Sequence, residues 1–152
     1  MRHAFTMIEI VVMVIVIGIM AAVAVPKFID SATESKVSAT AEDLRLIETA
    51  LGMYYARHGQ YPRDLNRVQA AEAFDSFFKS ENAFEIEVPI GGVYSYEAPP
   101  TTSQVQVSIS PSASSAFKQK DAEQLDEYID DGNLSTGSLR LQGNRLYYVA
   151  GK

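Results

Sequence analysis

Hydrophobic and polar positions divide the chain into two regimes. From Phe5 to Val25 (FTMIEIVVMVIVIGIMAAVAV) a single ionisable side chain, Glu9, interrupts an otherwise apolar run. As a helix rising roughly 1.5 Å per residue, the run spans about 31 Å, close to a hydrocarbon core of about 30 Å. Apolar on every side, such a helix is stable only in lipid or against other apolar helices. After Pro26 the pattern becomes amphipathic. Val37, Leu44 and Leu51 recur every seven residues, with Ala41, Ile47, Tyr54 and Tyr55 on the same side, while Glu34, Lys36, Glu42, Asp43 and Glu48 occupy the rest. This predicts one long helix running to His58, closed by Gly59 and kept from resuming by Pro62, with Tyr61 packing back on its last turn. Pro26 lacks an N–H and is expected to kink or loosen the helix around Ala22 to Val25, and Gly18 adds a local weakness.

The remaining segments are shorter. Arg63 to Phe78 reads as a loop and a short helix with Leu65, Val68, Ala71, Phe74 and Phe78 inward. Gly91-Gly92 marks a break before an alternating strand, Val93 to Glu97, and Gln104 to Ser110 alternates strictly, with Val105, Val107 and Ile109 inward. The Ser-rich SISPSASS stretch reads as an exposed loop. Ser114 to Asp130 is an amphipathic helix with Phe117, Leu125, Tyr128 and Ile129 as its buried positions. Leu139 to Gln142 and Arg145 to Val149 flank Gly143-Asn144, a two-residue hairpin signal. The predicted architecture is α+β: a long N-terminal helix packed on a small antiparallel sheet of three or four strands.

Composition changes this picture mainly by exclusion. The 152 residues suit one domain plus an appendage, and a net charge of −6 argues against a nucleic-acid partner, whose phosphates need clustered Lys and Arg. With no cysteine, disulfides and thiolate metal sites are ruled out. A histidine pair, a Gly-rich phosphate loop and a G-x-S-x-G elbow are all missing, and His58 at a helix end reads as a surface residue. The expectation is a protein that is not an enzyme.

Glu9 is the position that asks for an explanation. An ionised carboxylate inside a bilayer costs several kcal/mol and usually has a partner, yet no Lys, Arg or His follows it before Lys27. A cut between Ala4 and Phe5 would supply one: the new α-amino group, about one helical turn from Glu9. In a staggered array the Glu9 of one copy would meet the Phe5 amine of the next, satisfying both charges and setting the register. Two plainer readings compete. Ala22-Val23-Ala24 resembles a signal-peptidase site, although the run exceeds the usual h-region of roughly 7–15 residues. An uncleaved single-pass anchor is the other. Arg2 favours a cytoplasmic N-terminus, with Lys27 and Lys36 on the far flank weakening the bias.

Ala4-Phe5-Thr6-Met7-Ile8-Glu9, the apolar run, Gly18 and Ala24-Val25-Pro26 together resemble the N-terminus of type IV pilins and pseudopilins. The chain departs from the usual pattern in having Ala4 where the family has Gly, and Met7 where it has Leu. The Gly59-Gln60-Tyr61-Pro62 exit, after Tyr54 and Tyr55, is similar to that of pseudopilins and related pilins. The resemblance implies a leader peptide at 1–4, a transmembrane and filament-core helix at 5–25, the amphipathic half of the long helix at 26–58, and a globular head at 59–152. It implies cleavage after Ala4 by a prepilin peptidase, N-methylation of Phe5, and Glu9 guiding assembly. It also implies an inner-membrane subunit, single-pass with its head outside the cytoplasm, lifted by an assembly platform into a filament of like or related subunits. Gly18 and Pro26 then either ease packing or let the helix unwind between bilayer and filament. The exit turn and the lack of a cysteine pair favour a type II secretion pseudopilus; a type IV pilus for adhesion, motility or DNA uptake is the alternative, and a membrane-tethered binding domain that never polymerises is the outsider.

Asp126, Glu127, Asp130 and Asp131, followed by Gly132-Asn133, form an acidic cluster. Oxygen ligands around a glycine turn suit calcium, and the resemblance adds that major pseudopilins often bind calcium in a C-terminal loop. The spacing follows no EF-hand pattern, and the same residues read as a helix stop and turn. Both readings stand at this point.

Overall fold

The seven-residue repeat after Pro26 and the period-two strands build one core between them. The computed structural model describes residues 6–62, 87–97 and 105–150. The chain divides into two units, Met1–Glu34 and Ser35–Lys152. Helix α1, Met7–His58, contributes to both and stays α-helical through Pro26. Gly59, with φ +70°, follows it, and its N–H bonds the Tyr55 carbonyl at 2.8 Å, a helix stop of the expected kind.

In the second unit the other elements are β1 (Val93–Glu97), β2 (Val105–Ser110), α2 (Gln119–Ile129), β3 (Leu139–Gln142) and β4 (Arg145–Ala150). The four strands form one sheet in the order β1-β2-β4-β3, antiparallel throughout, and the Gly143-Asn144 turn joins β3 to β4. The sequence pattern therefore locates every described strand. The predicted helix within Arg63–Phe78, with Leu65, Val68, Ala71, Phe74 and Phe78, lies outside the described residues.

The core follows from the two periodicities. Val37, Ala41, Leu44, Ile47 and Leu51 of α1 are buried, and so are Tyr94, Tyr96, Val105, Val107, Ile109, Leu146 and Tyr148 of the sheet. Thr40 and Ala50 join them, unnoticed in the sequence because neither is strongly apolar. One expected member is absent. Tyr55 is 47% exposed and instead stacks on Tyr61, ring centroids 4.7 Å apart, which is how Tyr61 packs back on the last turn. Tyr54 is half-buried.

Two other expectations change. Helix α2 begins at Gln119, five residues after the predicted Ser114. Serine hydroxyls offer the backbone local partners that compete with a helix: the Ser115 N–H donates to Ser112 Oγ at 3.0 Å, and the Ser112 N–H to the Ser115 carbonyl at 2.7 Å. Phe117 thus packs, half-buried, from an extended stretch, and Tyr128, expected inside, is 51% exposed. Nor is SISPSASS one exposed loop. Ser108 and Ser110 are buried in β2, and only the part after Pro111 turns away.

The loop into β1 is fixed by Gly91 and Gly92, at φ +111° and +94°. A Cβ at Gly91 would stand 2.7 Å from the Ala116 carbonyl oxygen, and one at Gly92 2.6 Å from that of Ser110. Only glycine satisfies both the left-handed backbone and this close approach.

Candidate functional site

Thr6, immediately before α1, and Glu9, in its first turn, form a closed pair. The Thr6 N–H donates to Glu9 Oε2 at 2.8 Å, and the Thr6 hydroxyl donates to the same oxygen at 2.6 Å. A glutamate three residues past the cap that reaches back to the cap N–H is half of a capping box, and a negative charge here also suits the helix dipole. The Thr-x-x-Glu signature was present in the sequence, and reading Glu9 only as a stranded acid overlooked it. Downstream, the most apolar stretch of α1 has a mean hydropathy of 2.9 and no buried residue. Gly18 lies within this surface, and among the described residues nothing stands within 4 Å of a Cβ built on it.

The second cluster is at the end of α2. Asp126, Asp130 and Asp131 place carboxylate oxygens within 4.8 Å of one another. Helical periodicity turns Asp126 inward beside Leu125, and its side chain is 0% exposed. Asp130 and Asp131 stand at the surface. The turn uses both outer acids: Asp131 accepts from the Asn133 N–H at 2.9 Å and from the Thr136 hydroxyl at 3.1 Å, while Asp130 accepts from the Ser138 N–H. Gly137, at φ +76°, lies so close to the Asp130 carboxylate that a Cβ would collide with it. The helix-stop reading therefore accounts for Asp130, Asp131 and Gly137.

It does not account for Asp126, whose two oxygens have no hydrogen-bond partner. Burial raises this carboxyl above its ordinary range and the charges of Asp131 and Asp130 raise it further; the Asn133 and Gly132 amides offset this in part, without closing a good hydrogen bond. Three carboxylates with one orphaned and buried fit a hard cation such as calcium.

No family model matches the chain. It is 33% identical over 96 residues to the type IV major pilin protein PilE of Neisseria gonorrhoeae, which covers 61% of this chain and 54% of that relative. With the type II secretion system core protein G of Pseudomonas aeruginosa it shares 36% identity over 69 residues, 45% of this chain and 49% of the other. The chain spans about half the length of the curated relatives it matches. The major type IV pilin PilA1 of Clostridium difficile has the same fold, with a TM-score of 0.55 over 78% of this chain and 96% of that one, at 14% identity. The chain is thus similar in sequence to type IV pilins and to a type II secretion core protein, and it has the pilin fold.

In this pilin-like chain the singled-out residues fall in separate places. Glu9 is joined to Thr6, and Gly18 and Pro26 lie further along the same helix, while Ala4 and Phe5 are outside the described residues. His58 is exposed, stacked on Tyr54 at 4.2 Å with Nδ1 3.1 Å from the Tyr54 carbonyl oxygen, an end-of-helix arrangement. Sequence reasoning missed the inward position of Asp126. The signal was available: Ala122, Leu125 and Ile129 mark the inner face of α2, and 126 lies between them.

Proposed function

We propose that this chain is a structural subunit of a type IV pilus-like filament, and within that class a subunit of a type II secretion pseudopilus. One observation carries the reading: a long helix whose most apolar stretch buries nothing and opens on a glutamate. Such a surface needs lipid, and then neighbouring copies, to cover it. The precursor inserts with MRHA in the cytoplasm and its head beyond the inner membrane. A prepilin peptidase cuts between Ala4 and Phe5 and methylates the Phe5 amine. The assembly platform, driven by a cytoplasmic ATPase, moves the subunit from lipid into a filament core built of residues 5–25.

Glu9 serves two partners in this scheme. Both Thr6 bonds end on Oε2, so Oε1 is left for the Phe5 amine of an adjacent copy. The pair contributes register more than stability, because desolvating two charges offsets most of their attraction. The relatives are structural subunits, in keeping with a role in assembly and not in catalysis.

A type IV pilus subunit is the second reading, favoured by the longer stretch matched in the gonococcal pilin. Mass spectrometry of the mature protein tests the common mechanism. N-methyl-Phe5 in filaments supports it, whereas a natural protein that keeps Met1 and stays monomeric, or one that begins at Val25, rejects it. Deleting the chain then separates the readings: loss of secreted proteins marks a pseudopilus, loss of surface fibres a pilus.

A further inference from the structure

Exposed apolar side chains on α1 do not stop at Pro26. Phe28 and Ile29 beyond it are 74% and 62% exposed, and the next residue is Asp30. We propose that, before assembly, phospholipid acyl chains cover Ile10 to Ile29 and not Phe5 to Val25, and that Glu9, held in the headgroup layer at the N-terminal side, sets this depth. The depth presupposes the membrane-spanning role proposed above and fixes where the lipid begins.

Three features point to it. Glu9 and Asp30 bracket the stretch, and the helix between them rises about 31 Å, against a hydrocarbon core of about 30 Å. The Glu9 carboxylate also turns back to the start of the helix, where both Thr6 bonds end on its Oε2. It already points out of the span. Finally, α1 begins at Met7. The first amides of a helix have no acceptor one turn back, and hydrocarbon supplies none, so this turn belongs where water reaches it.

Apolar area does not choose between the two depths, because covering Phe28 and Ile29 uncovers Met7 and Ile8, which are similarly exposed on the helix. The charges choose. Lipid over Phe5 to Val25 would put Glu9 about 6 Å inside the hydrocarbon, where a short carboxylate side chain is costly. Lipid over Ile10 to Ile29 puts Lys27 only about 3 Å inside, and its long side chain keeps the ammonium in water while the stem lies along the acyl chains. Glu9 therefore needs no counter-ion while the subunit waits in lipid. Water and headgroups solvate it, and pairing with the amine of an adjacent copy begins only when the filament buries it.

The chain has no cysteine, so each one introduced is unique. Ile8→Cys, Ile15→Cys, Ile19→Cys and Ile29→Cys, all at exposed positions, are spin-labelled singly and the full chain is reconstituted in vesicles of phosphatidylcholine and phosphatidylglycerol. Electron paramagnetic resonance then compares access to oxygen, which concentrates in hydrocarbon, with access to a water-soluble nickel complex. The label at position 19 should lie deepest and that at 15 shallower, with 29 favouring oxygen and 8 favouring nickel. Glu9→Leu in the same background should move the deepest point toward position 15, by about one helical turn or 5 Å. A parent whose deepest label is at 15, with 29 open to nickel, overturns the proposal but leaves the membrane span. An unshifted Glu9→Leu profile overturns it too, since the acid then does not set the depth. No oxygen preference at any position rejects the span itself and the proposal with it.

Discussion

The Tyr148 hydroxyl donates to Glu48 Oε2 across 2.8 Å, joining the interior strand β4 to helix α1. Tyr94 of the edge strand β1 does the same to Asp43 Oδ2 at 3.2 Å. Two acids that the helical pattern assigned to the polar side thus flank the apolar seam and fasten the sheet to α1 at two points. Burial raises both phenols well above their usual range, so each remains a donor at any ordinary pH.

Replacing Tyr148 by Phe keeps the ring in the core and removes the bond, leaving half-buried Glu48 without it. The expected loss is about 1 kcal/mol, or roughly 4 °C in Tm for a head of this size. Tyr94→Phe, with the longer bond, should lose less. Thermal melting followed by circular dichroism checks both, and a Tyr148→Phe protein that melts with the parent would mean water replaces the bond without penalty.

The Asp43 carboxyl lies above its ordinary value of 3.8, chiefly through burial, with Glu42 adding to the shift and the Tyr94 hydrogen bond opposing it. A folded-state pKa above the unfolded one means that folding favours the protonated form. Stability from this group is therefore full below pH 3.8 and declines as pH rises through the window between the unfolded and the raised folded values. Asn at position 43 still accepts from Tyr94 but carries no proton to lose. The difference in stability between Asp43→Asn and the parent should grow in favour of the variant across that window and then level off. Urea unfolding from pH 3.5 to 7 measures it, the lower pH chosen to sit below the ordinary carboxylate pKa. Taking the difference cancels Asp126, which shifts in the same direction. A flat difference would show that solvent reaches Asp43 freely.

These residues also show how much the sequence disclosed. Periodicity found α1, the four described strands and most of the core because burial of apolar faces decides those features. Val37, Leu44 and Leu51 could face only inward. It misplaced Asp43 and Glu48, since a polar residue at the edge of an apolar stripe goes wherever a partner on a distant strand happens to lie, and it misplaced Asp126, which helical geometry carries inward beside Leu125. Helix ends were blurred for a related reason: at Ser112–Ser115 side-chain bonds outcompete helix propensity. At the N-terminus, the absence of cations pointed to Glu9 as special, while its local bond to Thr6 was hidden in a four-residue signature.

Glu9→Gln separates the observed cap on Thr6 from the proposed pairing with the amine of a neighbouring copy. Gln retains a carbonyl oxygen for the Thr6 N–H and hydroxyl but has no charge for an amine. Helix content and head stability should match the parent, and filaments seen by electron microscopy should fall at least tenfold. Glu9→Leu, lacking even the acceptor, should lose assembly as well. Normal filaments from Glu9→Gln would show that the cap is the whole of its role.

Gly18 and Pro26 pose the last question, since each weakens a helix that stays continuous through both. Pro26 has no N–H to offer the Ala22 carbonyl, and a proline inside a helix costs about 3 kcal/mol relative to alanine, a glycine about 1. A Cβ at Gly18 would meet nothing within 4 Å, so nothing among the described residues demands glycine there. The remaining reasons are close approach of neighbouring helices in a filament or a helix meant to yield. They diverge under load. If the segment yields, Gly18→Ala with Pro26→Ala gives filaments that assemble but extend markedly less than the parent in an optical trap. If close packing is the reason, Gly18→Ala alone impairs assembly, and Pro26→Ala filaments extend like the parent.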